Sequence, residues 1–281
     1  MWDQLHRFVF DGLSVRGVFV RLDASLARNL RSHPYPPPLQ RLIAEATTAV
    51  GLLATTVKIK GRISLQFQSD GPVKLLLAES TDELGLRSVG QWQGDIPEGD
   101  FSALMAGGRM ALSLLPEQGQ QYQGVVPLDG ETLADCLEHY FQQSEQLATR
   151  ILLFNEGERS AGLMIQAMPG LQQHEDFHRI ALLAETLKTE EAMNLPVETV
   201  LHRLYHEEQV RLFPSQAVRF HCRCSRERCR DSLLTLPVGD LQEMRAEEGE
   251  TTIQCDFCGE RYHFDDQALE QLIQEKQQQA H

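Results

Sequence analysis

Five of the six cysteines lie between Cys222 and Cys258, and four of them form two close pairs, Cys222-Arg223-Cys224 and Cys255-Asp256-Phe257-Cys258. A structural zinc ion takes four tetrahedral thiolate or imidazole ligands, usually delivered as two pairs because each pair can sit on one tight turn. The second pair is followed by Gly259 and has the zinc-knuckle form, since glycine lets the backbone amides turn toward the sulfurs. The expected cofactor is therefore one Zn2+ per chain, held by Cys222, Cys224, Cys255 and Cys258. A single residue inside the first pair forces its sulfurs close together, which suits a site that can also oxidise. A purely structural ribbon that is never oxidised fits the same spacing.

Neighbouring residues could compete for the metal. Cys229 lies five residues after Cys224 and is read as a spare surface thiol, while His221 and His263 are read as bystanders to four cysteines that already pair. The arginines at 223, 226, 228 and 230 either lower the thiol pKa values or form a solvated loop; Glu227 and Asp231 dilute them as a nucleic-acid patch. Cys136 stands alone upstream, on a helical face shared with Leu133, Leu137, Tyr140 and Phe141, and reads as a small core residue. His174, His178, His202 and His206 read as helical surface histidines. No phosphate loop, nucleophile elbow or zinc-hydrolase helix is present, so the chain is not expected to be an enzyme.

The elements that must position these cysteines fall into three stretches. Residues 1–170 read as an α+β domain with a mostly antiparallel sheet and packed helices. Strand patterns cover 13–22, 57–67, 73–78, 109–115, 121–126, 150–154 and 160–167; the clearest is the period-two alternation from Val57 to Phe67. Leu39, Leu42, Ile43, Ala46, Val50 and Leu53 recur at helical spacing, and a second helix is predicted over 132–145. Residues 171–220 read as a helical, metastable linker. Phe177, Ile180, Ala181, Ala184 and Leu187 make one stripe, and Val197, Val200, Leu201, Leu204 and Tyr205 another. Helices this short are not stable alone, so Ile180, Leu187, Val200 and Leu204 must lie on a neighbour, expected to be the N-terminal sheet. Residues 221–281 read as a small zinc-binding domain with a thirty-residue loop between the pairs, a helix over 264–274 and a frayed tail.

Charge and composition narrow the partners. The 281 residues carry a formal charge of -14, which repels phosphate backbones and disfavours nucleic acid. The start of the chain lacks a basic-then-apolar pattern, and no stretch reaches the roughly 18 apolar residues of a membrane span, so no membrane partner and a cytoplasmic location are expected. Clustered cysteines in a reducing compartment point to metal or redox chemistry rather than to a disulfide framework.

With Cys222-x-Cys224 and Cys255-x-x-Cys258 at this separation, the preceding stretch 177–212 and the lead-in Val218-Arg219-Phe220-His221-Cys222, the chain resembles the bacterial 33-kilodalton heat-shock chaperone family, the redox-regulated holdases. The resemblance extends to residues 132–141 with Cys136 and so covers nearly the whole chain. It implies an ATP-independent chaperone that is zinc-bound and inactive when reduced. Oxidation is then expected to join Cys222 to Cys224 and Cys255 to Cys258, expel zinc, unfold the small domain, loosen the linker and expose apolar surface to unfolded client proteins. Homodimerisation accompanies activation in that picture. Cys229 departs from the four-cysteine pattern. Two other classes compete with this reading: a zinc-ribbon adaptor without redox switching, which would want a basic face, and a thiol-disulfide oxidoreductase, which would want a βαβ context before its Cys-x-x-Cys.

Overall fold

The computed structural model describes residues 2–56, 59–169 and 174–279. Val57, Lys58 and the expected domain boundary at 170/171 lie outside the described residues. The chain divides into two compact units, one ending at His221 and one beginning at Cys222.

The first unit runs β1 (Gln4–Phe10), β2 (Val15–Leu22), α1 (Ala24–Leu30), α2 (Pro37–Leu53), β3 (Gly61–Gln68), β4 (Val73–Thr81), β5 (Gly85–Trp92), α3 (Phe101–Leu104), β6 (Arg109–Pro116), β7 (Tyr122–Pro127), α4 (Leu133–Tyr140), β8 (Thr149–Glu156) and β9 (Arg159–Ala167). It continues through α5 (His174–Glu185), α6 (Thr189–Asn194), α7 (Val197–Tyr205) and three short strands, β10 (Val210–Leu212), β11 (Gln216–Ala217) and β12 (Arg219–Phe220). The fold is α+β. Two sheets stand where the sequence suggested one: β10-β1-β2-β9-β8, with β11 also pairing β1, and β12-β5-β4-β3-β6-β7. Every pairing in them is antiparallel except β12 with β5.

Helix α2 packs against strands of both sheets, which explains why its burial exceeds one stripe. Leu39, Leu42, Ile43, Ala46, Val50 and Leu53 are buried as the periodicity requires, and so are Ala44, Ala49 and Leu52. The chain enters it through Pro36, with prolines at the first helical positions, where a missing N–H costs nothing. Helix α4 starts with a capping box between Thr132 and Asp135. It then widens into one π turn over Phe141–Glu145, closed by Gln146 at φ 54°. Cys136 is 1% exposed among Leu133, Leu137, Tyr140 and Phe141.

The first sheet has two apolar faces, and the side-chain alternation of β2 shows how they are shared. Val18, Val20 and Leu22 join the core around α2, whereas Val15 and Phe19 face a second core with Phe8, Phe10, Leu163 and Ile165. That second core is closed by Ile180, Ala184, Leu187, Met193, Val200, Leu201, Leu204 and Tyr205 from α5 to α7. The apolar stripes of the linker thus cover the N-terminal sheet. Arg150 on β8 reaches both Glu138 of α4 and Glu185 of α5.

The stretch expected to be helical to residue 220 is helical only to Tyr205. Beyond it, Phe8 pairs with Leu212, Leu5 with Gln216, and Arg219 and Phe220 run parallel to Gly85 and Leu86. Gly85 has no room for a side chain, because a Cβ there would lie 2.8 Å from His221 Cβ.

The second unit consists of α8 (Arg226–Leu233), α9 (Val238–Glu248), β13 (Thr251–Gln254), β14 (Arg261–Phe264) and α10 (Asp266–Gln279). The stretch expected to be a loop between the cysteine pairs is mostly α8 and α9. The expected frayed tail is helical to Gln279, and Lys276 Nζ donates to the Leu234 carbonyl. The core of this unit is small: Cys229, Leu233, Leu241, Phe264, Leu269, Leu272 and Ile273.

Candidate metal centre

Cys222 and Cys224 lie on irregular chain directly before Ser225, whose side chain caps α8 by accepting from the Arg228 amide at 3.2 Å. Cys255 and Cys258 sit on the turn that joins β13 to β14. Within it the Gly259 amide donates to the Cys255 carbonyl and the Cys255 amide to the Glu260 carbonyl, both at 2.8 Å. Gly259 has φ 71°, a left-handed conformation that a β-carbon would strain.

These two segments bring all four sulfurs within 4.8 Å of one another, the only such group of His, Cys, Asp and Glu among the described residues. Cys222 Sγ lies 3.6 Å from Cys255 Sγ, and Cys224 Sγ 3.3 Å from Cys258 Sγ. Four ligands about 2.3 Å from a tetrahedral zinc are about 3.8 Å apart. The donor set therefore fits zinc in type and spacing, and no disulfide joins any of the six cysteines.

The electrostatics point the same way. Burial resists ionisation of Cys222, but hydrogen bonds from the Cys224 amide and the neighbouring thiols outweigh it and pull its pKa below the ordinary value. Cys255 and Cys258 move up, first through burial and then through the sulfurs beside them. One thiolate thus forms readily and makes the next harder to form, a conflict that a divalent cation resolves.

Tyr262 completes the site and was not read from the sequence. Its hydroxyl donates to Cys224 Sγ at 3.2 Å, and that bond, ahead of burial, raises the phenol pKa. The available signal was the period-two run Arg261-Tyr262-His263-Phe264 after the knuckle, which builds β14. A donor held on a strand would fix the orientation of the Cys224 sulfur toward a bound metal from outside the ligand set.

The competing residues fall outside the group. His263 is exposed and faces Glu250 at 3.3 Å, and His221 belongs to the first unit. Cys229 is not the expected surface thiol: it is 8% exposed on α8 and shares the core with Leu233 one turn on. Burial raises its pKa, and the charges of Cys255 and Cys222 raise it further. Two of the arginines serve the fold and not a solvated loop. Arg226 donates to the His263 carbonyl and lies over the Phe264 ring at 4.5 Å, while Arg230 pairs with Glu275.

Fold and site together define a two-unit α+β protein whose smaller unit gathers four thiols that could hold a metal ion. The family model described as Hsp33 protein matches residues 3–265. Proteins named 33 kDa chaperonin from Salmonella typhimurium strain LT2 and Escherichia coli strain K12 are each 44% identical over 268 residues, spanning 93% of this chain and 92% of theirs. A crystal structure of a 33 kDa chaperonin from Thermotoga maritima superposes with a TM-score of 0.88 over 98% of this chain and 99% of its own, at 21% identity, which speaks for the fold. The chain belongs to the Hsp33 family. No described helix is long and apolar enough to cross a membrane.

Proposed function

We propose that this protein is an ATP-independent holdase chaperone, silent while its four cysteines hold zinc and active toward unfolded client proteins once they are oxidised. The observation that carries the reading is the convergence of Cys222, Cys224, Cys255 and Cys258 in a unit whose own core is small. Zinc, when bound, supplies this unit with folding energy on the order of 10 kcal/mol.

Oxidation joins Cys222 to Cys224 and Cys255 to Cys258. The four thiolates give up four electrons, and two molecules of peroxide accept them with four protons from solvent and leave as four waters. The two disulfides leave no thiolate to hold a cation, and the unit beginning at Cys222 loses its main support. The linker over 171–220 then loosens as a third functional region, and Ile180, Leu187, Val200 and Leu204, buried in the reduced form, become available to clients. Activation is accompanied by homodimerisation. The cytoplasm suits such a switch, because its thiol pool keeps the resting protein reduced.

The test is zinc content and suppression of client aggregation before and after peroxide treatment. The reading expects one zinc per reduced chain, its release on oxidation, and aggregation suppression only afterwards. Zinc retained under peroxide, or equal suppression in both states, contradicts it and leaves a structural zinc ribbon.

A further inference from the structure

A cavity of about 380 Å³ opens where the turn between α6 and α7 rests on β1 and β2. Its walls come from both partners: Trp2, His6, Phe19 and Arg21 on the strand side, Met193, Pro196, Val197 and Glu198 on the helix side. It lies far from the cysteines in sequence, and the chemistry proposed above makes no use of it.

Two features set this cavity apart. Arg21 is 6% exposed, and its guanidinium is spent on backbone carbonyls: Nε donates to Ala192 O at 2.7 Å, and Nη2 donates to Leu195 O and, at 3.5 Å, to Glu191 O. Its central carbon also lies over the Phe19 ring at 5.1 Å and the Trp2 ring at 5.8 Å. Among the described residues it has no carboxylate partner, and Nη1 has no hydrogen-bond partner. A buried cation compensated only by carbonyls and ring faces attracts an anion into any space beside it. Glu198 lines the same cavity and raises the Arg21 pKa through its field, against the lowering by burial, yet the two form no ion pair. A cation and an anion are thus held apart across one half-enclosed space. His6 lines the same cavity, and burial lowers its pKa by more than the field of Glu198 raises it.

We propose that this cavity binds a small zwitterion, an α-amino acid with an apolar side chain. Its carboxylate meets Arg21, its ammonium meets Glu198, and its side chain lies against Trp2, Phe19 and Met193. A simple anion would be repelled by Glu198 and a simple cation by Arg21, so the pair selects molecules that carry both charges. The volume accommodates a single aromatic amino acid with water to spare. Because the walls come from the strands and from α6 and α7, a bound ligand bridges them and stabilises the docked helices by mass action.

The test uses the full chain, reduced and metal-loaded, titrated calorimetrically with L-phenylalanine, with hydrocinnamate, which lacks the ammonium, and with L-phenylalaninamide, which lacks the carboxylate. The proposal expects saturable one-to-one binding of L-phenylalanine and affinities about tenfold or more weaker for the other two, the loss expected for one charge-assisted hydrogen bond. Glu198→Gln, at an exposed position that leaves the fold intact, should bring L-phenylalanine down to the level of hydrocinnamate. Amide exchange over 189–205 should slow when L-phenylalanine is bound. No binding of L-phenylalanine, equal binding of hydrocinnamate to the unsubstituted chain, an unchanged preference in the Glu198→Gln variant, or binding without slower exchange over 189–205 would each overturn it.

Discussion

Five of the six cysteines sit in two environments that follow the two units of the chain, and Cys229 is buried in the core of the second. Cys136 is sealed under α4, and burial, with Asp135 and Asp129 adding to it, raises its pKa to about 11. Cys222, Cys224, Cys255 and Cys258 are only partly buried, at a site where one sulfur ionises readily. The structures around them differ in the same sense. The first unit closes two sheets around α2 and adds a second apolar core under α5 to α7, so hydrophobic burial alone can hold it. The second has one small core, rimmed by pairs such as Arg245 with Asp266 and Glu270. Exposed pairs of that kind contribute little. A unit that its core can hold keeps its thiol out of chemistry, whereas on the proposed function a unit with so small a core depends on what its thiols hold.

The largest effect should come from removing metal. Chelation of the reduced chain should cost the second unit on the order of 10 kcal/mol and unfold it, leaving the first unit intact. Circular dichroism with limited proteolysis checks this: cleavage should fall after residue 221, and cleavage spread over both units would break the comparison.

Next in size is a charge placed in the second core of the first unit. Leu204→Asp buries an unpaired carboxylate among Phe10, Tyr205 and Val200, and should weaken docking of α7 by roughly 3 to 5 kcal/mol. Client aggregation assays on the reduced variant should show partial activity with zinc still bound. A variant that holds zinc, stays silent when reduced and activates normally with peroxide would remove the linker from the mechanism.

A smaller effect is expected at the seam of β12 with β5. Gly85→Val drives a side chain into His221 and Thr81 Oγ1 and should cost about 1 to 3 kcal/mol, read as a lower thermal midpoint of the first unit at unchanged zinc content.

The smallest effect concerns Cys136. A thiol whose folded pKa exceeds its unfolded one contributes stability that is complete below the unfolded value and lost as pH rises through the folded value. The first unit should therefore weaken between about pH 9 and pH 11, and Cys136→Ala should flatten that decline. At neutral pH iodoacetamide should label Cys136 far more slowly than the four site cysteines of the chelated chain, and comparable rates would contradict its isolation.

What the sequence disclosed follows from how evenly each element divides its faces. Helix α2 and the stripes at Ile180, Leu187, Val200 and Leu204 were legible because their apolar residues recur at a fixed spacing and lie on one wall. Strand β1 was not, because it buries both faces: Leu5 enters one core, Phe8 and Phe10 the other, and no alternation survives. The short strands from Val210 to Phe220 have too few residues to show a period and are extended only because β1 and β5 offer them partners. The grouping of Cys222, Cys224, Cys255 and Cys258 was legible from spacing, since the turn that carries each pair is local. Cys229 was misplaced because the arginines around it mask the four-residue step to Leu233 that puts both in the core. Tyr262 was missed because its role depends on β14 pairing with β13, which no local pattern states.

The most direct test of the central claim is hydrogen exchange by mass spectrometry on the reduced, zinc-loaded chain and on the same chain after peroxide, mapped peptide by peptide. The account predicts that residues 222–279 lose nearly all slow exchange on oxidation, that 174–205 lose part of theirs, and that the strands around α2 keep it. Retained protection over 222–279 in a chain shown to have released its zinc would contradict it, because the second unit would then be standing on its own core.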